Sequence, residues 1–317
     1  MRILLWHVHG SWTDAFVRGR HTYLLPTTPE GGPWGGGRCG RDWPATVEVA
    51  PEELADTDVD VVVLQRTEEL DLASKWLHRR PGRDVPAVFV EHNTPKGDVP
   101  NVRHPLADRT DVPIVHVTHW NEWMWDNGRA PTAVIEHGVV APSARYTGEL
   151  PHAAVVTNEP VRRWRVTGSD LIGRFTAAAP VDVFGMGLDG LDARLGTDRV
   201  TLVGDLPHHR LHPELARRRA YVHPLRWTSL GLSLIEAMQI GMPVVCLAAT
   251  ETVEAVPPEA GLLSTNLEVL VTGLRDLVAD PERATRMGKA AREYALTRFG
   301  LARFLADWDR LLTSLTR

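Results

Sequence analysis

The chain is poor in lysine and cysteine, and it lacks any long apolar run. Its only lysines are Lys75, Lys96 and Lys289, and every other basic side chain is arginine. That skew reads as coding bias, and it carries mechanism only where a single arginine stands beside a phosphate site. The two cysteines, Cys39 in a glycine-rich stretch and Cys246 at the end of an apolar run, exclude a disulfide framework or a thiolate metal site. They fit a reducing, cytoplasmic setting. No apolar run approaches the roughly 20 residues of a spanning helix, so no integral membrane segment is expected. The N-terminal Met1-Arg2-Ile3-Leu4-Leu5-Trp6 meets His7 and His9 before a signal-peptide core is complete, and it reads as a first β-strand. A formal net charge of −5 removes the basic balance that a nucleic-acid partner requires.

What remains is an ordinary globular composition, 43% hydrophobic and 24% charged over 317 residues, enough for two domains that each bury a core. Short β-rich runs alternate with amphipathic stretches, the pattern of parallel sheets with crossover helices. The class is α/β. Strands are expected at 3–6, 59–65, 87–91, 114–118 and 132–135, then at 153–157, 181–184, 200–203, 220–223 and 243–247. Helices are expected at 14–18, 67–78, 170–178, 213–218, 234–240, 267–278 and 282–298. The turn-rich 141–145 separates two Rossmann-like domains, 1–149 and 150–301. No G-x-G-x-x-G follows an early strand, which disfavours a nicotinamide enzyme. The glycine-rich 30–37 reads as a mobile loop, either a lid over substrate or a plain excursion.

The most informative stretch runs from Thr228-Ser229-Leu230-Gly231-Leu232-Ser233-Leu234-Ile235-Glu236-Ala237-Met238 to Gly241-Met242-Pro243-Val244-Val245. It spells a glycine turn, a helix whose start is marked by Ser233, a stop at Gly241 and a buried strand. The first amides of such a helix, with its dipole, make a site for a phosphate. Two readings of Glu236 stay open. Ser233-Leu234-Ile235-Glu236 is a capping box in its own right, and a carboxylate here also suits paired hydroxyl donors.

This stretch resembles the donor-site segment of family 4 of the retaining glycosyltransferases, with Gly-Leu, Glu-Ala-Met and Gly-x-Pro-Val-Val in register. The resemblance implies a GT-B fold, two Rossmann-like domains with a cleft between them, and the last helix, 302–317, packing back on the first. It implies a nucleotide-diphosphate sugar of UDP or GDP type as co-substrate, no cofactor, no metal, and a small-molecule or glycan acceptor. Glu236 then takes the ribose hydroxyls, and Gly231, Leu232 and Ser233 the diphosphate. The family's first glutamate falls on Thr228, so its E-x7-E pattern is broken. Val134-Ile135-Glu136-His137-Gly138-Val139 is similar to the segment closing the family's first domain, with Glu136-His137 for Pro-Asn. Asp182-Val183-Phe184-Gly185-Met186-Gly187 and Val200-Thr201-Leu202-Val203-Gly204 resemble its two strand-glycine segments. Its phosphate-binding Arg-x4-Lys falls on Arg162 and Thr167, with the lysine missing and Arg163 or Arg165 as substitute charges.

In the first domain, Ala87-Val88-Phe89-Val90-Glu91-His92 places His92 at a carboxyl edge, where α/β sheets bind ligands. It resembles the family's histidine that approaches the donor sugar. Trp6-His7-Val8-His9-Gly10-Ser11-Trp12 occupies the place of the family's glycine-rich loop, of which Gly10 remains. His92, Arg162 and Gly10 are the expected catalytic set, with His9 and Trp12 toward the acceptor. His7, His9, His116 and His119 lack zinc spacing. Trp120 and Trp123, at i, i+3, are expected to pack in the core. The activity implied is retaining transfer of a sugar. The alternative is a degenerate GT-B protein that binds a nucleotide sugar or glycan without transfer, on the strength of Thr228 and Thr167.

Overall fold

A computed structural model describes residues 1–317 as two compact units, Met1–Val140 with Leu301–Arg317, and Ala141–Gly300. In chain order the first unit carries β1 Arg2–Leu5, α1 Gly10–Phe16, β2 Thr22–Pro26, α2 Gly32–Gly35, β3 Thr46–Val49, β4 Val61–Leu64, α3 Glu68–Leu77, β5 Ala87–Glu91, β6 Ile114–His116, α4 His119–Met124 and β7 Thr132–Val134. The second carries β8 Leu150–Val156, α5 Ser169–Phe175, β9 Val181–Phe184, α6 Leu191–Leu195, β10 Val200–Gly204, α7 His208–Arg217, β11 Arg218–His223, α8 Leu232–Ile240, β12 Val244–Leu247, α9 Thr252–Ala255, β13 Gly261–Ser264, α10 Leu267–Ala279 and α11 Pro281–Arg298. The final helix, α12 Leu301–Leu315, belongs to the first unit.

Both sheets are parallel throughout, ordered β3-β2-β1-β4-β5-β6-β7 and β10-β9-β8-β11-β12-β13. Each reverses its winding at its first strand, the switch point where doubly wound sheets bind ligands at their carboxyl ends. Central strands such as Val61–Leu64 are apolar at every position because helices cover both faces. One face of the first sheet packs Trp12, Phe16, Val63 and Val90 with Phe304, Trp308 and Leu312 of α12. A Cβ on Gly138 would lie 2.2 Å from the Phe304 side chain, so the loop after β7 meets α12 only because position 138 is glycine.

Three local expectations are corrected. The glycine-rich 30–37 is not an open loop: it holds the single turn α2, with Trp34 under the Arg66 guanidinium at 3.9 Å and Pro33 O accepting from Arg66 at 2.8 Å. Trp123 does not pack in the core, being 85% exposed, because α4 ends at Met124 and never builds a buried face. The N-cap of α8 is Gly231 rather than Ser233, which lies inside the first turn, and no side chain caps the helix. No helix is long and apolar enough to cross a membrane.

Candidate functional site

In the second unit, β11 ends at His223 and the chain turns through 224–231 into α8. Gly231 is required there, since a Cβ would stand 2.6 Å from Cε1 of the buried His223 ring. The Ser233 hydroxyl pairs with the Tyr221 hydroxyl at 2.9 Å, which takes it away from the helix start. The capping reading of Glu236 therefore falls. From Leu234 onward α8 is buried on all sides, so Glu236 is a carboxylate held at 5% exposure. Its ion-pair partner is His212 on α7, Nε2 to Oε2 at 3.4 Å, beyond the usual N–H···O range. The first amides of α8 precede its hydrogen-bond ladder and face outward, as at any helix start. Leu232 and Ser233 supply them, and Thr228 lies half-buried in the preceding turn.

The glycine at 185 has φ +127°, and a Cβ there would meet Thr157 O at 2.0 Å, so the tip of β9 admits no side chain. After β8, Arg162 is exposed and ion-paired to Glu159, while Arg165 pairs with Asp170 at 2.8 Å. Arg163 differs from both. It is half-buried, its guanidinium is assigned no hydrogen bond or ion pair in the chain, and burial, then the neighbouring Arg162 charge, pulls its pKa down. Thr167, which takes the place of the missing lysine, is buried with its hydroxyl 2.7 Å from that of Ser169.

In the first unit the structure brings His9, Gly10, Trp12 and His92 together. The chain leaving β1 delivers His9 and Gly10 to the start of α1, and β5 delivers His92. The His9 and His92 rings lie 4.1 Å apart, and Trp12 meets His92 edge-on at 5.1 Å. Trp12 itself is 1% exposed, so it reaches an acceptor only through the His92 ring that it walls. The Gln65 side chain donates to Trp6 O at 2.8 Å and so turns its carbonyl to His92 Nε2 at 3.1 Å, which assigns the proton to that nitrogen. Burial, reinforced by His9 and then His137, holds the His92 pKa well below the usual histidine value. His137 is pushed down to about 3 by burial, then His9 and Arg303. His9 is lowered by burial against the opposing pull of Glu91.

Sequence reasoning missed three of these neighbours. His137, in the loop after β7, is close enough to His9 and His92 to act on their charge, and Arg41 places its guanidinium where a Gly10 Cβ would come within 3.1 Å. His212 faces Glu236 from α7. None of the three left a signal in the sequence: His208 and His212 stand at i, i+4 on α7, but nothing in that spacing points to Glu236.

Residues 189–294 match the family model Glycosyl transferases group 1. Among solved structures, a sucrose-phosphate synthase from Thermosynechococcus elongatus superposes with TM-score 0.73 at 16% identity, covering 99% of each chain. HepE of Anabaena in complex with UDP gives 0.74 at 15%, covering 99% of this chain and 100% of that one. A glycosyltransferase from Rickettsia africae gives 0.74 at 13%, over 100% and 98%. No curated protein matches the sequence. At such identities the likeness shows the fold, GT-B; with the family match across α7, β11 and α8, it indicates a glycosyltransferase.

Proposed function

We propose that the chain transfers a sugar from a nucleotide-diphosphate sugar to a small-molecule or glycan acceptor, with retention of configuration and without a metal in donor binding. The observation that carries the reading is Glu236: a buried carboxylate one turn into α8, neither capping its helix nor paired with arginine or lysine. Adjacent ribose hydroxyls are the donors it lacks. The first amides of α8, from Leu232 and Ser233, and the unpaired Arg163 suit the diphosphate, with Arg162 available once it leaves Glu159. Gly185 keeps the strand tip open for the nucleotide.

As the glycosidic bond breaks, charge develops on the leaving diphosphate, and fixed amides and a desolvated guanidinium stabilise it more than the ground state. In the first unit the neutral His92, with His9 and Gly10, offers uncharged hydrogen-bonding groups suited to a sugar hydroxyl or an acceptor. Thr228 keeps a hydroxyl where the family has an acid, which narrows the contact to the sugar ring. HepE has been solved with UDP-glucose, which makes a uridine donor the first to try. The test is a thermal-shift screen against UDP-, GDP- and dTDP-sugars, followed by proton NMR of the product formed from the best donor. An α-linked product from an α-donor is expected. Absence of stabilisation by every nucleotide sugar in a folded preparation overturns the reading, and an inverted product overturns retention.

A further inference from the structure

α7 opens on His208 and carries His212 four residues on, so the two imidazoles stand one turn apart on one helix face, ring centroids 5.2 Å apart. α8 packs beside α7 and brings Glu236 to them. One ligand atom from each of the three lies within 4.8 Å of the others. A tetrahedral zinc ion with bonds of about 2.0–2.2 Å sets its ligand atoms about 3.3–3.6 Å apart. The 3.4 Å between His212 Nε2 and Glu236 Oε2 is already such an edge, and the exposed His208 closes the third corner by turning its ring.

The carboxylate also calls for a cation. It is buried, and its ion-pair partner is a histidine rather than an arginine or lysine, so its charge is poorly compensated. Two imidazoles and one carboxylate select a borderline ion over magnesium or calcium, which prefer all-oxygen shells. We propose that His208, His212 and Glu236 form a three-ligand site for a divalent ion of the zinc class, its fourth position open to water. The ion takes the carboxylate assigned above to ribose, so metal and donor exclude each other there, and zinc acts as a brake on donor binding. The ligand set itself does not depend on the donor reading.

The test titrates Zn²⁺ into the tag-free chain against a chromophoric chelator, without nucleotide, and repeats it with Co²⁺, whose visible spectrum reports tetrahedral coordination. One ion per chain is expected. Its affinity falls more than about tenfold in His208→Ala and in His212→Ala, since loss even of outer-shell partners costs about that much, and stays unchanged in His209→Ala. No bound ion, or wild-type affinity in the His208→Ala and His212→Ala variants, overturns the site. If His212→Ala fails to fold, His208→Ala, at an exposed position, decides alone. Titrating UDP into zinc-free protein separates the two readings: zinc binding without UDP binding leaves the metal site and sinks the donor assignment, and the converse sinks the metal site alone.

Discussion

Replacing Glu236 by glutamine separates structure from recognition more cleanly than any other single change, because the two side chains share a shape. In the free protein the carboxylate makes one contact, to His212 at 3.4 Å, and takes no part in capping α8, whose start at Gly231 has no side-chain cap. Glutamine keeps an oxygen for His212 and removes a buried charge. The melting temperature should therefore hardly move, with a stability change within about 1 kcal/mol. In the complex the cost is different. Two ribose hydroxyls donate to a carboxylate, but glutamine turns an NH₂ toward one of them, leaving two donors face to face. The loss is that of a hydrogen bond to a charged group, about 1.5–3 kcal/mol, or roughly ten- to a hundredfold in donor affinity. Calorimetric titration of the best nucleotide from the donor screen into both proteins, alongside thermal melts, reads both quantities. Wild-type affinity in a folded Glu236→Gln variant refutes the ribose assignment. A melting temperature lower by many degrees refutes the claim that the carboxylate is structurally idle.

Arg163→Ala should weaken nucleotide diphosphate binding about tenfold or more, while Arg162→Ala, at an arginine already paired to Glu159, costs less; the reverse order by calorimetry returns the phosphate role to Arg162. Stability should fall with acid from about pH 6.5 downward, since His116, held near pKa 4, and His137 and His223, near 3, are neutral when folded and bind protons when unfolded. Their folded pKa values lie below the unfolded one, so their contribution is complete above about pH 6.5 and is lost as pH falls toward the folded values, at up to about 1.4 kcal/mol per pH unit for each; a melting temperature flat between pH 7 and 5 contradicts this. Gly288→Ala should cost about 3 kcal/mol or abolish soluble expression, because its Cβ would meet the Gly241 carbonyl oxygen at 1.9 Å where α11 crosses the end of α8. Gly173→Ala, inside α5 with no atom nearer than 3.9 Å, should instead stabilise by about 0.5–1 kcal/mol, and thermal melts of the pair check both signs.

The α/β class and most central strands were legible because strands buried on both faces read as unbroken apolar runs, as Val61–Leu64 and Val181–Phe184 do. Three strands were not. β3, at an edge, has two exposed central residues in four; β2 carries Tyr-Leu-Leu but ends on a proline; and β13, at the other sheet's edge, opens on a glycine with only that residue fully buried. Local rules failed where a tertiary partner intervened. Ser233 has the spacing of a cap, but Tyr221, on a strand twelve residues back, claims its hydroxyl. Trp120 and Trp123 have helical spacing, but a helix of six residues buries too little to use it. The Arg162 pairing to Glu159 is an i, i+3 contact that was readable in principle. The approach of Glu236 to His212 joins two elements 24 residues apart and has no signature in either segment alone.

The charges left unbalanced in the second unit argue for a nucleotide more strongly than either residue does separately. Arg163 is a half-buried cation with no ion pair of its own, the Glu159 that acts on it being paired to Arg162, and Glu236 a buried carboxylate without an arginine or lysine. Each is costly to hold in the free protein, and they do not neutralise one another. An inorganic anion would satisfy the arginine and gain nothing from the glutamate, while a neutral sugar would satisfy the glutamate and leave the arginine bare. A nucleoside diphosphate carries both complements, phosphate oxygens at one end and paired hydroxyl donors on the ribose. The histidines gathered at His92 in the first unit are different in kind, since burial keeps them neutral and they offer hydrogen bonds without charge. Charge selection thus belongs to the second unit. Substitutions at Arg163 and Glu236 should change which ligands bind, whereas those at His92 should leave nucleotide affinity intact.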